Sequence, residues 1–325
     1  MRCNFLQPVL YLTVTFYTEE SKMKIATTIG EMYSYFSNPA DAVRSYAGTG
    51  FKYLDYSFYH DFRESSPFMA DDDRMWKQQI GDCIAAAGEC GFSFVQAHAP
   101  GYNPLGANCD HERCMRAMIR SVEASAMLNI PTVVLHTSFN QKHVYPIDKT
   151  AYFEYNLRFL QPILAEAEKH SITICIENTS TKNMGVCYFP RTAAEMNDMV
   201  AFVNHPLLGC CWDTGHAVME GKDDQYNDLM ELGSNLKALH IHDNNSRSDQ
   251  HLAPYCGRLQ LDRLVAALKD MNYSGCFTFE ADCFMGKNTG TGPLAQPPLE
   301  IRRAALSLLY SIGSNALKTY GIEEE

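Results

Sequence analysis

The chain has 325 residues, 46% hydrophobic and 20% charged, with 38 acidic against 27 basic side chains and a net charge of −11. That length suits one α/β barrel, which takes roughly 250 residues plus insertions, and a core of that size needs no disulfide staples. The acidic balance gives no general pull on nucleic acid or anionic membrane, and past the N-terminus no stretch carries the ~20 uninterrupted apolar residues of a membrane span.

The N-terminus reads differently from the rest. Met1–Tyr17 is faintly like a signal peptide, but Gln7, Pro8 and several Thr interrupt its apolar run, and no small-x-small cleavage site precedes Glu19-Glu20. Residues 1–22 are therefore expected to be an extension outside the fold, and residues 23–325 one domain. Eleven of the twelve cysteines are scattered from Cys83 to Cys283 without a CxxC pair, and several fall in apolar runs. Reduced thiols and a cytoplasmic protein are the expectation.

From Met23 onward, short apolar runs alternate eight times with longer amphipathic segments. The runs at 24–29, 51–56, 92–97, 131–136, 172–177, 207–213, 236–241 and 275–280 are each about six residues long. They are rich in Val, Ile, Leu, Phe or Tyr, as strands buried on both faces should be. Helical periodicity covers Arg74–Cys90, Glu112–Leu128, Tyr152–His170, Thr192–Val203, Leu261–Met271 and Leu299–Leu317, while Pro39, Pro131 and Pro190 sit at boundaries. Eight strand-then-helix units predict a single (β/α)8 TIM barrel. No GxGxxG or GxxxxGK[ST] loop follows a strand, so no nucleotide cofactor is expected. The long connections 57–73, 98–111, 137–150, 243–258 and 281–298 all follow strands, which places them on the catalytic face of a barrel.

Six successive runs end in an ionisable residue: His98, His136, Glu177, Asp213, His240 and Glu280. Closing a barrel gathers those ends into one ring. One histidine there would ordinarily be hydrogen-bonded structure, and one carboxylate could cap the next helix. Six in register are crowded acids and imidazoles that a cation must offset. Oxygen and imidazole donors without thiolate suit Mn2+, Zn2+, Co2+ or Mg2+. His216 follows Asp213 by three residues, so a helical turn could aim both at one centre. Asp249 and His251 are spaced to project on the same side of an extended loop.

The segments His-Ala-Pro at 98–100, Ile-Glu-Asn at 176–178, Trp-Asp-Thr-Gly-His at 212–216, His-Ile-His-Asp-Asn at 240–244, Asp-Gln-His at 249–251 and Phe-Glu-Ala at 279–281 together resemble the xylose isomerase-like barrel superfamily. The resemblance runs from about residue 24 to 315. That superfamily contains sugar and sugar-phosphate isomerases and epimerases as well as abasic-site endonucleases of the endonuclease IV type. The epimerase-like members imply one metal on Glu177, Asp213, His240 and Glu280. His242 competes for the place of His240, which is preferred because the ligand stands three residues before an acid, here Asp243. The endonuclease-like members imply further metals, whose ligands map onto His98, His136, His216, Asp249 and His251.

Two chemistries follow from the resemblance. In the first, a metal holds a carbonyl and a hydroxyl oxygen while Glu177 and Glu280 pass a proton through an enediolate, His216 orients the substrate, and Arg247, Tyr102 and Asn178 contact it. In the second, several metals cleave a phosphodiester. A dehydratase or lyase would use the same site as the first. The catalytic-face loops are poor in Lys and Arg: 57–73 carries Arg63 against Asp61, Glu64 and Asp71–Asp73. Tyr59, Phe62, Tyr102 and Tyr255 suit a walled small-molecule pocket. The expected partner is thus a carbohydrate rather than nucleic acid. Barrels of this type often pair, which leaves a homo-oligomer open.

Overall fold

In the computed structural model, residues 22–105, 110–144, 146, 148–281, 283, 292 and 294–325 are described. The strands are β1 (Lys22–Thr28), β2 (Tyr53–Ser57), β3 (Ser93–His98), β4 (Thr132–Leu135), β5 (Thr173–Glu177), β6 (Leu208–Asp213), β7 (Leu236–His240) and β8 (Cys276–Phe279). Neighbours are parallel, in the order β7-β6-β5-β4-β3-β2-β1-β8. The ring closes where Ile241 N donates to Thr278 O (2.8 Å) and Glu280 N to Ile241 O (3.1 Å). The fold is the expected single (β/α)8 barrel. Of the expected N-terminal extension only Lys22 is described, and it is the first residue of β1.

The helices are α1 (Pro39–Arg44), α2 (Arg74–Cys90), α3 (His111–Met127), α4 (Lys149–His170), α5 (Thr181–Met184), α6 (Ala193–Val203), α7 (Thr214–Met219), α8 (Tyr226–Leu232), α9 (Leu261–Asp270) and α10 (Leu299–Thr319). The long ones match the sequence periodicity and carry its start and stop chemistry. Thr192 and Glu195 form a capping box on α6, and α2 stops at Gly91, whose φ of +72° favours glycine. The short helices α1, α5, α7 and α8 have too few residues for a 3.6-residue period to register. A last pairing, Glu323–Glu324 beside β1, lies outside the eightfold alternation. No described helix is long and apolar enough to cross a membrane.

Apolar residues fill two separate spaces. The larger core lies between sheet and helices, where Trp76, Phe68, Tyr56 and Phe279 are fully buried; each such side chain stabilises the fold by about 1.5–3 kcal/mol. The smaller one is a layer of Val134, Cys175, Cys211 and Ala238. These four come from adjacent strands β4 to β7, and their small side chains fit the narrow barrel interior. The two-residue period of a strand then puts His136, Glu177, Asp213 and His240 one layer higher, at the C-terminal mouth.

Two bulges adjust this stacking. Between β6 and β7 the register shifts at Cys210/Cys211, so that Asp213 lies beside His240. Between β2 and β3 it shifts at Leu54/Asp55, so that Asp55 lies beside Gln96. In each case one extra residue re-aims the side chains that follow it.

Candidate active site and metal centre

The strand ends surround a cavity of about 520 Å³ lined by His98, His136, Glu177, His216, Asp249, His251 and Glu280, among others. Asp213, His240 and His242 lie at its floor, each no more than 1% exposed. At the centre is Glu177. Its Oε2 has His136 Nε2 at 3.2 Å, His240 Nδ1 at 3.4 Å and His98 Nε2 at 3.5 Å. Glu280 Oε2 reaches the same His240 Nδ1 at 3.2 Å. Neither Glu177 Oε2 nor His240 Nδ1 has a hydrogen-bond partner among the described residues, although both are buried. Converging donors left unsatisfied in this way are what a cation would satisfy.

The histidines are aimed by the backbone. His98 Nδ1 lies 2.6 Å from Ala99 O, His216 Nδ1 2.9 Å from Asn178 O, and His251 Nδ1 2.9 Å from Glu280 O. A carbonyl can only accept, so each Nδ1 carries a proton and Nε2 is the nitrogen turned to the cavity. Nε2 of His216 and Nε2 of His251 both face Asp249 Oδ2, at 3.2 and 3.4 Å.

Three donor groups result: His98, His136 and Glu177; Glu177, Asp213, His240 and Glu280; and His242, His251 and Glu280, with the donor atoms of each group within 4.8 Å of one another. Ligands about 2.0–2.2 Å from one zinc-like ion stand at most ~4.4 Å apart. The 3.2–3.5 Å separations around Glu177 Oε2 and His240 Nδ1 fall within that span, and the oxygen and imidazole set fits a hard or borderline divalent ion.

The Trp-Asp-Thr-Gly-His segment explains itself once folded. Asp213 Oδ1 accepts from His216 N (2.6 Å) and caps α7, while Asp213 Oδ2 accepts from His242 Nε2 (2.9 Å). The His242 ring lies under Gly215 and stacks on His251 with centroids 4.1 Å apart. His240 and His242 thus serve different places, the first facing both glutamates and the second facing Asp213. Asp243 serves neither. Its two oxygens accept four backbone N–H groups, from Asn244, Gly257, Arg258 and Leu259, and fold the loop after β7.

The two glutamates differ in acidity. Burial pushes Glu280 up to about 8, with the charges of Glu177 and Asp213 adding to it against His240 and His251. Burial acts on Glu177 in the same sense, but His136 and His240 outweigh it and hold that carboxyl well below the usual range. For His216, burial is overcome by Asp213, Asp249 and Glu177, and the imidazole is raised well above its ordinary value.

Some expected contacts lie elsewhere. Arg247 is exposed and does not line the cavity. Tyr102 is buried with its hydroxyl 2.7 Å from His111 Nδ1. Asn178 spends its amide on Asp213, through Oδ1 to Asp213 N (2.6 Å) and Nδ2 to Asp213 O (2.9 Å). The structure thus places the three, respectively, on the surface, against His111 and between β5 and β6, outside the residues that line the cavity. Tyr59 does line the cavity, edge-on to His98, whereas Tyr255 is 69% exposed. Residues missed in the sequence are Thr28, Tyr33, Ser57 and Thr179, which add hydroxyls to the wall. The first two barrel strands end in Thr and Ser, which give no signal among so many others. Among the described lining residues there is no Lys or Arg.

Comparison with known proteins agrees with this architecture. A protein from Sinorhizobium fredii designated y4fM is 28% identical over 162 residues, covering 49% of this chain and 50% of that protein; the chain thus spans about half the length of this relative. Among solved structures, a D-psicose 3-epimerase crystallised in the presence of D-fructose superposes with a TM-score of 0.66 at 18% identity, covering 91% of this chain and 99% of that one. An AP endonuclease, family 2, from Brucella melitensis does so with a TM-score of 0.60 at 18% identity, covering 79% and 92%. At such identity these likenesses establish the fold alone. Residues 43–310 match the family described as xylose isomerase-like TIM barrel, and the chain belongs to that family.

Proposed function

We propose that the chain is a divalent-metal-dependent isomerase or epimerase of a sugar or sugar derivative. The observation that carries this reading is the pair Glu177 and Glu280, which reach one imidazole nitrogen from β5 and from the end of β8. Glu177, Asp213, His240 and Glu280 would hold the cation. A bound divalent ion would polarise a carbonyl and make the neighbouring C–H more acidic. Glu177 and Glu280, both close to His240 Nδ1, are placed to take that proton and to return it. His216, with its Nδ1 proton committed to Asn178 O, would orient a substrate oxygen. Tyr59 and the hydroxyl wall form a small enclosure with no Lys or Arg among its described lining residues to receive a polyanion, which supports a carbohydrate over nucleic acid. The epimerase among the structural neighbours points the same way.

The test is exchange of the substrate's carbon-bound hydrogen in D2O across a ketose panel, with Glu177→Gln and Glu280→Gln as controls. Exchange by the wild type and its loss in both variants is expected; exchange surviving in either variant refutes the two-glutamate mechanism. A second reading, multi-metal phosphodiester cleavage, is favoured by the further donor groups around His98–His136 and His216–Asp249–His251. Two or three tightly held ions per chain, with cleavage of abasic DNA, would select it.

A further inference from the structure

Three cavity histidines rest Nδ1 on a backbone carbonyl and offer Nε2 to the site. His240 is turned the other way. Its Nδ1 faces Glu177 and Glu280, and its Nε2 points down into the barrel, where Asp55 Oδ2 lies 3.8 Å away. Asp55 is 1% exposed on β2, in the layer beneath the site. The bulge after Leu54 sets it beside Gln96 of β3, whose Nε2 donates to Asp55 Oδ2 (2.8 Å). Gln96 Oε1 in turn has Thr278 Oγ1 of β8 at 3.5 Å. Three strands therefore converge on one buried carboxylate.

That carboxylate is not used up by structure. Asp243, equally buried, spends both oxygens on backbone N–H groups, whereas Asp55 Oδ1 has no partner among the described residues. An unpaired buried carboxylate oxygen costs stability and is retained where a nearby group needs its charge. For His240 to present a lone pair at Nδ1, its proton must sit on Nε2, and Asp55 is the carboxylate that faces that nitrogen. We propose that Asp55, held by Gln96 and Thr278, is a positioning residue that fixes His240 as the tautomer with Nδ1 free toward the two glutamates. A carboxylate behind a ligating imidazole orients the ring and raises its basicity.

This role rests on the metal reading of the cluster, and the test separates the two. Cobalt(II) is titrated into the full chain stripped of metal, following binding and the visible absorption of the ion, for wild type, Asp55→Asn and Gln96→Met, with a melting curve for each stripped protein. Asparagine keeps an acceptor for Gln96 and removes only the charge. The expected result is binding about 10–100-fold weaker in Asp55→Asn, with an altered cobalt spectrum and an undiminished melting temperature. Gln96→Met should move affinity and spectrum in the same direction by less. Wild-type affinity and spectrum in Asp55→Asn, or in Gln96→Met if the first variant does not fold, would overturn the role, as would a lowered melting temperature with cobalt binding unchanged. A wild-type chain that takes up no cobalt removes the metal reading and this role together.

Discussion

Gly215→Ala tests how the Asp-Thr-Gly-His turn builds the site. Gly215 is the second residue of α7, and a Cβ there would stand 1.9 Å from His242 Cε1, with Nδ1 and Nε2 of the same ring at 2.2 and 2.6 Å. Carbon atoms in contact sit about 3.5–4.0 Å apart, so the ring must retreat by roughly 1.6 Å or more. It has nowhere to go without breaking the 2.9 Å bond to Asp213 Oδ2 and the stack on His251. Losing a hydrogen bond to a charged group costs about 1.5–3 kcal/mol, overpacking about 1–3, and alanine returns about 1 through helix propensity. The net loss is about 3 kcal/mol. At about 2.1 cal/mol/K per residue, 325 residues unfold with roughly 0.7 kcal/mol per degree, so the melting temperature should fall by about 4–5 °C. The cycle with His242→Ala is decisive, because the three nearest atoms all belong to that ring. In the His242→Ala background Gly215→Ala should be neutral or stabilising by up to about 1 kcal/mol. An equal cost in both backgrounds, read by denaturant titration, refutes the steric argument.

Three further outcomes follow from the site. Asp243→Ala strips four backbone N–H groups of their acceptor and should cost about 3–5 kcal/mol, opening the loop after β7 to limited proteolysis; an unchanged cleavage pattern contradicts its bracing role. In metal-free protein, Glu280 is raised to about 8, so the native state binds the extra proton and the stability it contributes, full below about pH 4.5, is lost as pH rises to about 8. His216 and His240, also raised, lose theirs above about pH 6.5, whereas the depressed Glu177, Asp213 and Asp249 lose theirs below about pH 4. Melting temperature should therefore peak between about pH 4.5 and 6.5, and Glu280→Gln should flatten the alkaline limb; stability rising from pH 6 to 9 would contradict this assignment. Finally, zinc or manganese at about 100 times its Kd should stabilise the stripped chain by about 2.7 kcal/mol, or about 4 °C, and chelation should reverse it; no shift with either ion speaks against a metal centre.

The strand and helix pattern was legible in the chain because a parallel barrel strand is buried on both faces and so must be a run of apolar residues. The same rule made the polar residue after each run conspicuous, and of these His98, His136, Glu177 and Glu280 do line one cavity, joined by His216, Asp249 and His251 from the segments that follow. Arg247, Tyr102 and Asn178 lie outside the lining, because a loop side chain's direction depends on turns that periodicity does not encode. Asp55 and Gln96 are polar residues inside apolar runs, but what they face is set by the register shift between β2 and β3.

Sequence by itself determined the fold class and the ring of ionisable strand ends, since both follow from local alternation between apolar and polar residues. Only the tertiary structure decided which imidazole nitrogen faces the site, that His240 Nδ1 lies within 3.4 Å of both glutamates, and that Asp55 lies 3.8 Å from its Nε2. Those choices depend on the two register shifts, at Cys210/Cys211 and Leu54/Asp55, and on the packing of His242 beneath Gly215. A bulge moves a whole strand end by one residue relative to its neighbour, and that displacement is set by pairing across the barrel, not by the residues along either strand.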